Sequence, residues 1–469
     1  MERYREDAKE LPVKGEYDVL VAGGGPAGVA AALAAARLGQ RTLLVEQHNC
    51  LGGVAGAGGH GYMAIFSSWG GQDRIVGGIG AEIIDRVCAE GFGDSSPFGS
   101  FFDVEGLKFI LDRMMLESKV EVLYHTFLCG AIVRDGAAVG AIIQNKGGRQ
   151  AVWAKRLVEC TGDGDLAASA GCEYEVGRPG DHKCQPVTLM FTLGGVDWPK
   201  VDKWRVGPDG QGDYGMSHVW KKAQDNGDME PFQHCIMGFW WNSSQPHYVG
   251  INFTHVTNID TTQAEDLTYA TMEARRQAYH CVDVFRKYVD GMECCYLIST
   301  PNTIGLRESR RIMGEYVLNE MDIKNQCRFD DNICYGSFFI DIHHIDGPGM
   351  DGTTWRPPTG FRYHIPYRVL VPRKIENILV AGRCISVTHV ALGSTRVMAQ
   401  CAGTGEAAGA AAALSIRQGV SPRKLSVADL QKHLVSTGGV IREQDIKPGP
   451  YFRADSLGRR TYTRPAIRP

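Results

Sequence analysis

Three side chains in this sequence have the chemistry to bind an anion or move a proton. Arg307, in GLRESRR over residues 305–311, carries a planar fork that matches the two oxygens of a carboxylate or enolate. His389, in SVTHVALGSTR over 386–396, and His364 can exchange a proton near neutral pH. Each has a plainer reading beside it. Arg307 with Arg311, and Glu308 with Arg311, have helical spacing, so the run could be a structural ion-pair network at the start of a helix. Either histidine could be a packed, hydrogen-bonded core residue. His343-His344 with Asp341 and Asp346 nearby raise the question of a metal, but their spacing matches no standard ligand motif, and no metal is expected.

A second kind of chemistry is written near the N-terminus, in YDVLVAGGGPAGVAAALAAARLGQRTLLVE over residues 17–46. Tyr17 to Ala22 is an apolar run of strand length. Gly23, Gly25 and Gly28 fit G-x-G-x-x-G. Pro26 to Leu38 is Ala-rich and helical, with Gly39 as its C-cap, and Arg41 to Val45 is a second strand ending at Glu46. The first glycine makes the tight turn, the second lets the backbone approach a pyrophosphate, and the third lets helix and strand pack closely. The helix N-terminus then presents N–H groups and a positive dipole end to phosphates. Glu46 is placed to accept hydrogen bonds from a ribose.

Elements elsewhere must hold these groups together. A length of 469 residues exceeds what one hydrophobic core usually supports, so two domains are expected. Hydrophobic content of 43% and charged content of 22% are those of a globular protein. A net charge of −3 gives no electrostatic reason to expect nucleic acid or an anionic membrane as partner. No apolar run approaches the roughly 20 residues that span a bilayer. The charged start, MERYREDAKELPVKGEYD, has no apolar stretch of the secretory type, so the cytoplasm is the expected compartment. The 14 cysteines include no C-x-x-C pair, which argues against a zinc ribbon or an iron–sulfur cluster and for buried, reduced thiols.

Periodicity predicts helices over 79–90, 105–117 and 263–289, with strands over 120–124 and 155–160. A hairpin is predicted around the Asp135-Gly136 turn. From Gly171 the composition shifts, and six of the eight tryptophans fall between residues 173 and 360; Trp240 and Trp241 could line a pocket or pack a core. Near Glu376 the nucleotide-domain character returns: a strand over 377–381 leads into Gly382-Arg383, and an Ala-rich helix over 403–416 follows Ser394-Thr395-Arg396. Gly403-Thr404-Gly405 with Gly409 faintly resembles a second nucleotide turn, but no acid-ended strand follows it. The expected architecture is α/β: a discontinuous Rossmann-type domain (14–62, 103–172 and 365–435), a second mixed α+β substrate or cap domain (63–102 and 173–364), and an extended tail over 440–469.

The segments GGGPAGVAAALAAARLG, LVECTGDGDLAASAG, QPVTLMF, GLRESRRIMGEYVL, IPYRVLVP and NILVAGRCISVTHVALGSTRVMAQCAGTGEAAGAAAAL together resemble the FAD-dependent oxidoreductases of the glutathione-reductase structural class. The likeness is greatest to the bacterial branch related to fumarate reductase flavoproteins. The resemblance implies that Gly23, Gly25, Pro26, Ala27 and Gly28 hold the FAD pyrophosphate and that Glu46, with Gln47 beside it, meets the adenosine ribose. It implies that Gly52 and Gly53 let a loop pass the ribityl and flavin side, and that Phe127 and Leu128 lie by the adenine. Thr161 and Gly162 form a second FAD contact, Gly382 and Arg383 stand near the ribityl chain, and Ser394 and Arg396 lead into a helix aimed at the flavin edge. His60 lies where some relatives attach flavin covalently, although AGAGGHGYM is not that attachment motif.

With FAD performing hydride chemistry, Arg307 becomes the expected substrate anchor, and His389 and His364 the expected proton carriers. The function expected is that of a dehydrogenase or reductase acting on a small, carboxylate-bearing organic substrate, with an unidentified electron acceptor and a homo-oligomeric state. The alternatives are a non-redox flavoenzyme such as an isomerase or lyase, or a flavin-carrying electron-transfer subunit. No dedicated NAD(P) domain is evident.

Overall fold

The structure is a computed structural model and describes residues 4, 6–96, 99–205, 213, 215–240 and 245–448. Trp241 and most of the expected tail, from residue 449 onward, lie outside the described residues.

A seven-stranded sheet organises the larger part of the chain. Its parallel centre runs Glu121–Leu123, Thr42–Val45, Val13–Ala22, Gly148–Glu159, and Ile378–Val380 pairs beside the last of these. The inner strands are apolar on both faces: Leu20, Val21, Leu43, Leu44, Leu157 and Val158 are all buried, as helices covering both sides of a parallel sheet require. Phe127–Arg134 and Ala137–Asn145 add the antiparallel hairpin, turning at Asp135 (φ 49°) and Gly136 (φ 74°) as the Asp-Gly pair predicts. The fold is α/β with a Rossmann-type parallel sheet. Strand Ile378–Val380 joins it from the far end of the sequence, so the sheet is built from separated segments.

Two helices pack face to face at the sheet's carboxyl edge, Pro26–Arg37 and Met398–Gln418. Their contact is made by small residues. A Cβ at Gly405 would lie 2.1 Å from Ala27 O, and one at Gly409 would lie 2.1 Å from Ala31 O. These glycines are therefore a close-packing seam inside a continuous helix, not a second nucleotide turn. The helix starts at Met398, five residues before the 403–416 span that the Ala-rich run predicts.

A second sheet, ordered Gly238–Trp240, Val249–Asn252, Phe191–Gly194, Tyr296–Ser299, packs under the long helix Ala264–Tyr288. Its core holds Trp220, Phe253, Phe285, Val249 and Leu193. Residues such as Ile312, Ile333, Ile340 and Phe361 join the larger core of the first sheet instead.

Candidate functional site

The glycine turn is built as its spacing requires. Gly23 has φ 93°, and a Cβ there would lie 2.7 Å from Cys160 O. At Gly28 a Cβ would sit 1.8 Å from Gly23 O, so the helix can approach the strand only without one. Gly25 differs: its nearest neighbour is Gly53 Cα, 3.9 Å from a notional Cβ. Nothing in the protein needs Gly25 to be bare, and the space it leaves is bounded by the second loop. That loop is fastened by Gly52 N donating to Gly24 O at 2.8 Å. Glu46 is buried and clamps the turn. Its Oε2 accepts from Gly24 N at 2.6 Å and its Oε1 from His48 N at 2.8 Å. Gln47 and Phe127 are exposed, and Leu128 packs partly against the core.

The second contact segment closes on the first. Thr161 Cα is 2.8 Å from the notional Cβ of Gly23. The loop that follows is held from below by buried Glu159, which accepts from Thr161 N at 2.6 Å, Leu166 N at 2.7 Å and Ala167 N at 3.0 Å. Burial pushes the Glu159 carboxyl up to about 7 despite those donors. Gly382 has φ 83°, its N–H donates to Thr404 Oγ1 at 3.1 Å, and a Cβ there would touch Ala27 Cβ at 3.0 Å. Arg383 reaches back across Gly162 to donate to Asp163 Oδ1 at 2.7 Å. The sequence-predicted set Gly23, Gly25, Pro26, Ala27, Gly28, Glu46, Gly52, Gly53, Thr161, Gly162, Gly382 and Arg383 thus gathers around the N-terminus of Pro26–Arg37 and the first two turns of Met398–Gln418. Neither helix has a side-chain cap at its start.

Beyond the second helix lies a buried polar group drawn from both parts of the fold. GLRESRR is not a helix start: it is a loop running into the short strand Arg310–Ile312, and Arg307, Glu308 and Arg311 are buried. Glu308 is fully buried. Its Oε1 accepts from His389 Nδ1 at 2.8 Å and from Arg311 Nη1, and its Oε2 accepts from Gln185 N at 3.1 Å. Arg311 is fixed by Val387 O and Gly177 O as well. No local spacing signals that Glu308 partners His389, 81 positions along the chain. His389 opens the helix His389–Thr395, which Thr388 caps through Ala391 N.

Arg307 stands apart from that ion pair. It is 7% exposed and its Nη1 donates to Pro186 O at 2.7 Å and to Thr188 Oγ1 at 2.6 Å. The neighbouring buried arginines all have carboxylates: Arg311 has Glu308, Arg383 has Asp163, and Arg396 has Asp341 at 2.9 Å. Arg307 has none within ion-pair reach among the described residues. Burial, and then the nearby Arg396, push its guanidinium down to about 9. The same field acts on three histidines. Burial first and Arg307 second lower His60 to about 4, His255 to about 3 and His343 to about 4, so all three are neutral at pH 7. Asp341 is held below its ordinary range: burial opposes its charge, but His343, Arg396 and Arg307 outweigh it.

His364 is not part of this group. It lies on Tyr363–Pro366, where successive side chains alternate in direction. Tyr363 faces inward to Ser394 Oγ at 2.7 Å, while His364 turns the other way to Arg328 Nη1 at 2.9 Å and Phe329 N at 3.1 Å. Ser394 itself spends its hydroxyl on Phe338 O at 2.5 Å. His60 stacks on Trp240, with centroids 4.8 Å apart. Among the described residues no group of three or more His, Cys, Asp or Glu is arranged to hold a metal, and no helix is long and apolar enough to cross a membrane.

The profile of the FAD dependent oxidoreductase family matches residues 18–434. No curated protein matches the chain. Among solved structures it is similar to a geranylgeranyl bacteriochlorophyll reductase-like protein from Thermoplasma acidophilum, at 14% identity and a TM-score of 0.45, covering 91% of this chain and 84% of that one. A flavoprotein/dehydrogenase from Cytophaga hutchinsonii is similar at 12% identity and a TM-score of 0.43, covering 90% and 83%. The p-nitrophenol 4-monooxygenase from Pseudomonas putida is similar at 11% identity and a TM-score of 0.43, covering 90% and 84%.

The residues present fit FAD. The bare space at Gly25 and the uncapped start of Pro26–Arg37 suit a pyrophosphate. Next to the second uncapped helix, buried polar atoms stand without partners: Arg383 Nη1, Arg396 Nε and both amide atoms of Gln400. Unpaired buried donors are costly, and a polar coenzyme lying across them would satisfy them.

Proposed function

The chain belongs to the FAD dependent oxidoreductase family, FAD is its cofactor, and on that premise we propose that it is a dehydrogenase or reductase acting on a small organic anion. Its sequence motifs further support a place in the glutathione-reductase structural class, in the branch related to fumarate reductase flavoproteins. The observation that carries the substrate assignment is Arg307, a buried cation with no carboxylate partner. An isolated buried charge is expensive, and proteins keep one where a ligand supplies the opposite charge. A carboxylate docked on the free side of its fork would restore the balance.

FAD, when bound, supplies hydride exchange at its N5 atom. The remaining work belongs to the chain. Arg307 binds and orients the substrate anion, and His60, His255 and His343, neutral at pH 7, add no charge that would repel Arg307. His389 is the proton carrier. Glu308 takes Nδ1–H and Arg311 locks Glu308, so the tautomer is set and Nε2 is left to give or take the proton. Gln400 and the unpaired first N–H groups of Met398–Gln418 would stabilise negative charge developing on the cofactor.

Anaerobic mixing of the FAD-loaded protein with panels of small hydroxy, amino and unsaturated carboxylates tests the reading. Bleaching of oxidised flavin, or reoxidation of reduced flavin, by one carboxylate and not by its neutral amide supports it. Equal responses to acid and amide would remove the role given to Arg307.

A further inference from the structure

Three histidines from separate segments converge on Arg307. Its guanidinium is pinned to Pro186 O and Thr188 Oγ1, and Val187 between them pairs with Val256 through backbone hydrogen bonds of 3.0 and 3.1 Å. His255 is the next residue along that bridge. Gly305, just before Arg307, pairs with Thr188, and a Cβ there would meet Val54 Cγ2 at 3.8 Å. Val54 O in turn accepts from His60 N at 3.0 Å. His343 lies beside His255, with ring centroids 5.9 Å apart, and Asp341 links it to Arg396.

The three rings differ in their capacity to take a proton. Gln233 Oε1 accepts from His234 N at 2.9 Å and from Gly349 N at 2.8 Å, which leaves the Gln233 amide nitrogen to donate to His255 Nδ1 at 3.2 Å. His255 Nε2 donates to Gly347 O at 3.0 Å. A proton on His255 Nδ1 would therefore set two donors face to face. His60 stacks on Trp240 and has no carboxylate in ion-pair reach among the described residues. His343 has both parts of a proton site. Its Nε2 faces Asp341 Oδ1 at 3.5 Å, while Oδ2 of the same carboxylate accepts from Arg396 Nη2 at 2.9 Å. Its Nδ1 is buried and has no partner.

We propose that His343 takes up a proton from solvent when an anion seats on Arg307, so that the site gains substrate and proton together. The proton bonds to Nδ1, and no other bond is made or broken. This rests on Arg307 as the anion anchor. Four groups face the ring: Asp341 on its own segment, Arg396 at the end of His389–Thr395, Arg307 from the loop before Arg310–Ile312, and the neutral His255. In the empty site two cations stand against one anion, and burial and then Arg307 hold the ring at about 4. A carboxylate on Arg307 makes the charges equal and raises the ring's affinity for a proton. Burial still opposes the imidazolium, which keeps the uptake on the acid side of the ordinary 6.5. The coupling is reciprocal, so the anion binds more tightly as pH falls.

The test is calorimetric titration of the full FAD-loaded protein with benzoate and with trifluoroacetate, at about pH 5.5 and about pH 7.5. Repeating each titration in buffers of different ionisation enthalpy counts the protons bound per anion. The expected result is uptake at the lower pH, none at the higher, and an affinity at least about threefold greater at the lower. Uptake should vanish in His343→Gln and His343→Asn and persist in His60→Gln, with FAD content as the folding check. Wild-type binding without uptake at the lower pH, or uptake unchanged in the His343 variants, would overturn the proposal and leave Arg307 as the anchor. Binding that Arg307→Met does not weaken would overturn the proposal and the anchor together.

Discussion

His389 Nδ1 lies 2.8 Å from Glu308 Oε1, and both side chains are buried although 81 positions separate them in sequence. The pair joins the segment that opens the last helical region to the loop that carries Arg307. Histidine oriented by a buried carboxylate has one tautomer and one free nitrogen, the arrangement that proton transfer requires.

Replacing His389 by Gln keeps a hydrogen-bonding group of similar reach but removes the proton carrier. We expect full FAD content and a turnover reduced by roughly 10²–10⁴, measured by anaerobic flavin reduction. Unchanged turnover would reduce His389 to a packing role. Glu308→Gln should instead cost stability, on the order of 3 kcal/mol, because Arg311 would lose its buried counter-charge and keep only the exposed Glu175, 3.4 Å away; thermal unfolding measures that.

Arg307→Met should move stability and function in opposite directions. With no carboxylate in ion-pair reach, and only Asp341 favouring its charge from farther off, Arg307 costs folding energy that a bound anion would offset, so its removal should stabilise the substrate-free protein by about 1–3 kcal/mol. Thermal unfolding without ligand would show a rise, with activity lost. A fall in thermal stability would mean that the bonds to Pro186 and Thr188 outweigh the desolvation.

The two glycines of the turn separate folding from cofactor binding. Gly28→Ala puts a methyl group 1.8 Å from Gly23 O and should cost about 3 kcal/mol or more. Gly25→Ala meets nothing closer than 3.9 Å and has φ −67°, which alanine adopts readily, so the protein should fold with near-wild-type stability. Its methyl group would occupy pyrophosphate space, and the purified variant should carry little FAD. Full FAD in Gly25→Ala would mean the phosphates lie elsewhere.

Those glycines could be read from sequence because their constraint is local: a turn, a helix start and a strand within a few residues of one another. The buried ion-pair group could not. In GLRESRR the charges fall at spacings that imitate a helix face, and only the fold shows that Glu308 and Arg311 close on His389 while Arg307 is left alone. Gly405 and Gly409 were equally opaque, since the carbonyls that forbid their side chains belong to Ala27 and Ala31, nearly 380 residues away along the chain. His364 was misplaced for a simpler reason: strand alternation turns it away from Ser394, and the direction of a single residue depends on a register the sequence does not state.

The pH dependence of stability carries two opposite signs. His60, His255 and His343 have folded values depressed below the ordinary 6.5, so their contribution is complete above that value and lost as pH falls toward about 4 for His60 and His343 and about 3 for His255. Each loses about 1.4 kcal/mol per pH unit within its window. Glu406, buried on the last long helix and accepting from Ile79 N at 2.9 Å, is raised by burial from 4.5 to about 7. Its contribution is complete below 4.5 and is lost as pH rises through 7. Glu406→Gln should therefore gain stability relative to wild type between pH 5 and pH 8, by on the order of 2 kcal/mol, in chemical denaturation. An offset that does not change with pH would show that Glu406 titrates normally.

The most direct test titrates acetate, succinate and benzoate into the oxidised, FAD-loaded protein while the flavin absorbance is followed, in wild type and in Arg307→Met. The account predicts that at least one carboxylate perturbs the wild-type flavin spectrum and that Arg307→Met weakens its binding about 100-fold, or about 2.7 kcal/mol, with FAD still bound. Equal affinity in the two proteins would contradict it, because the unpaired guanidinium would then not be what the substrate's charge meets.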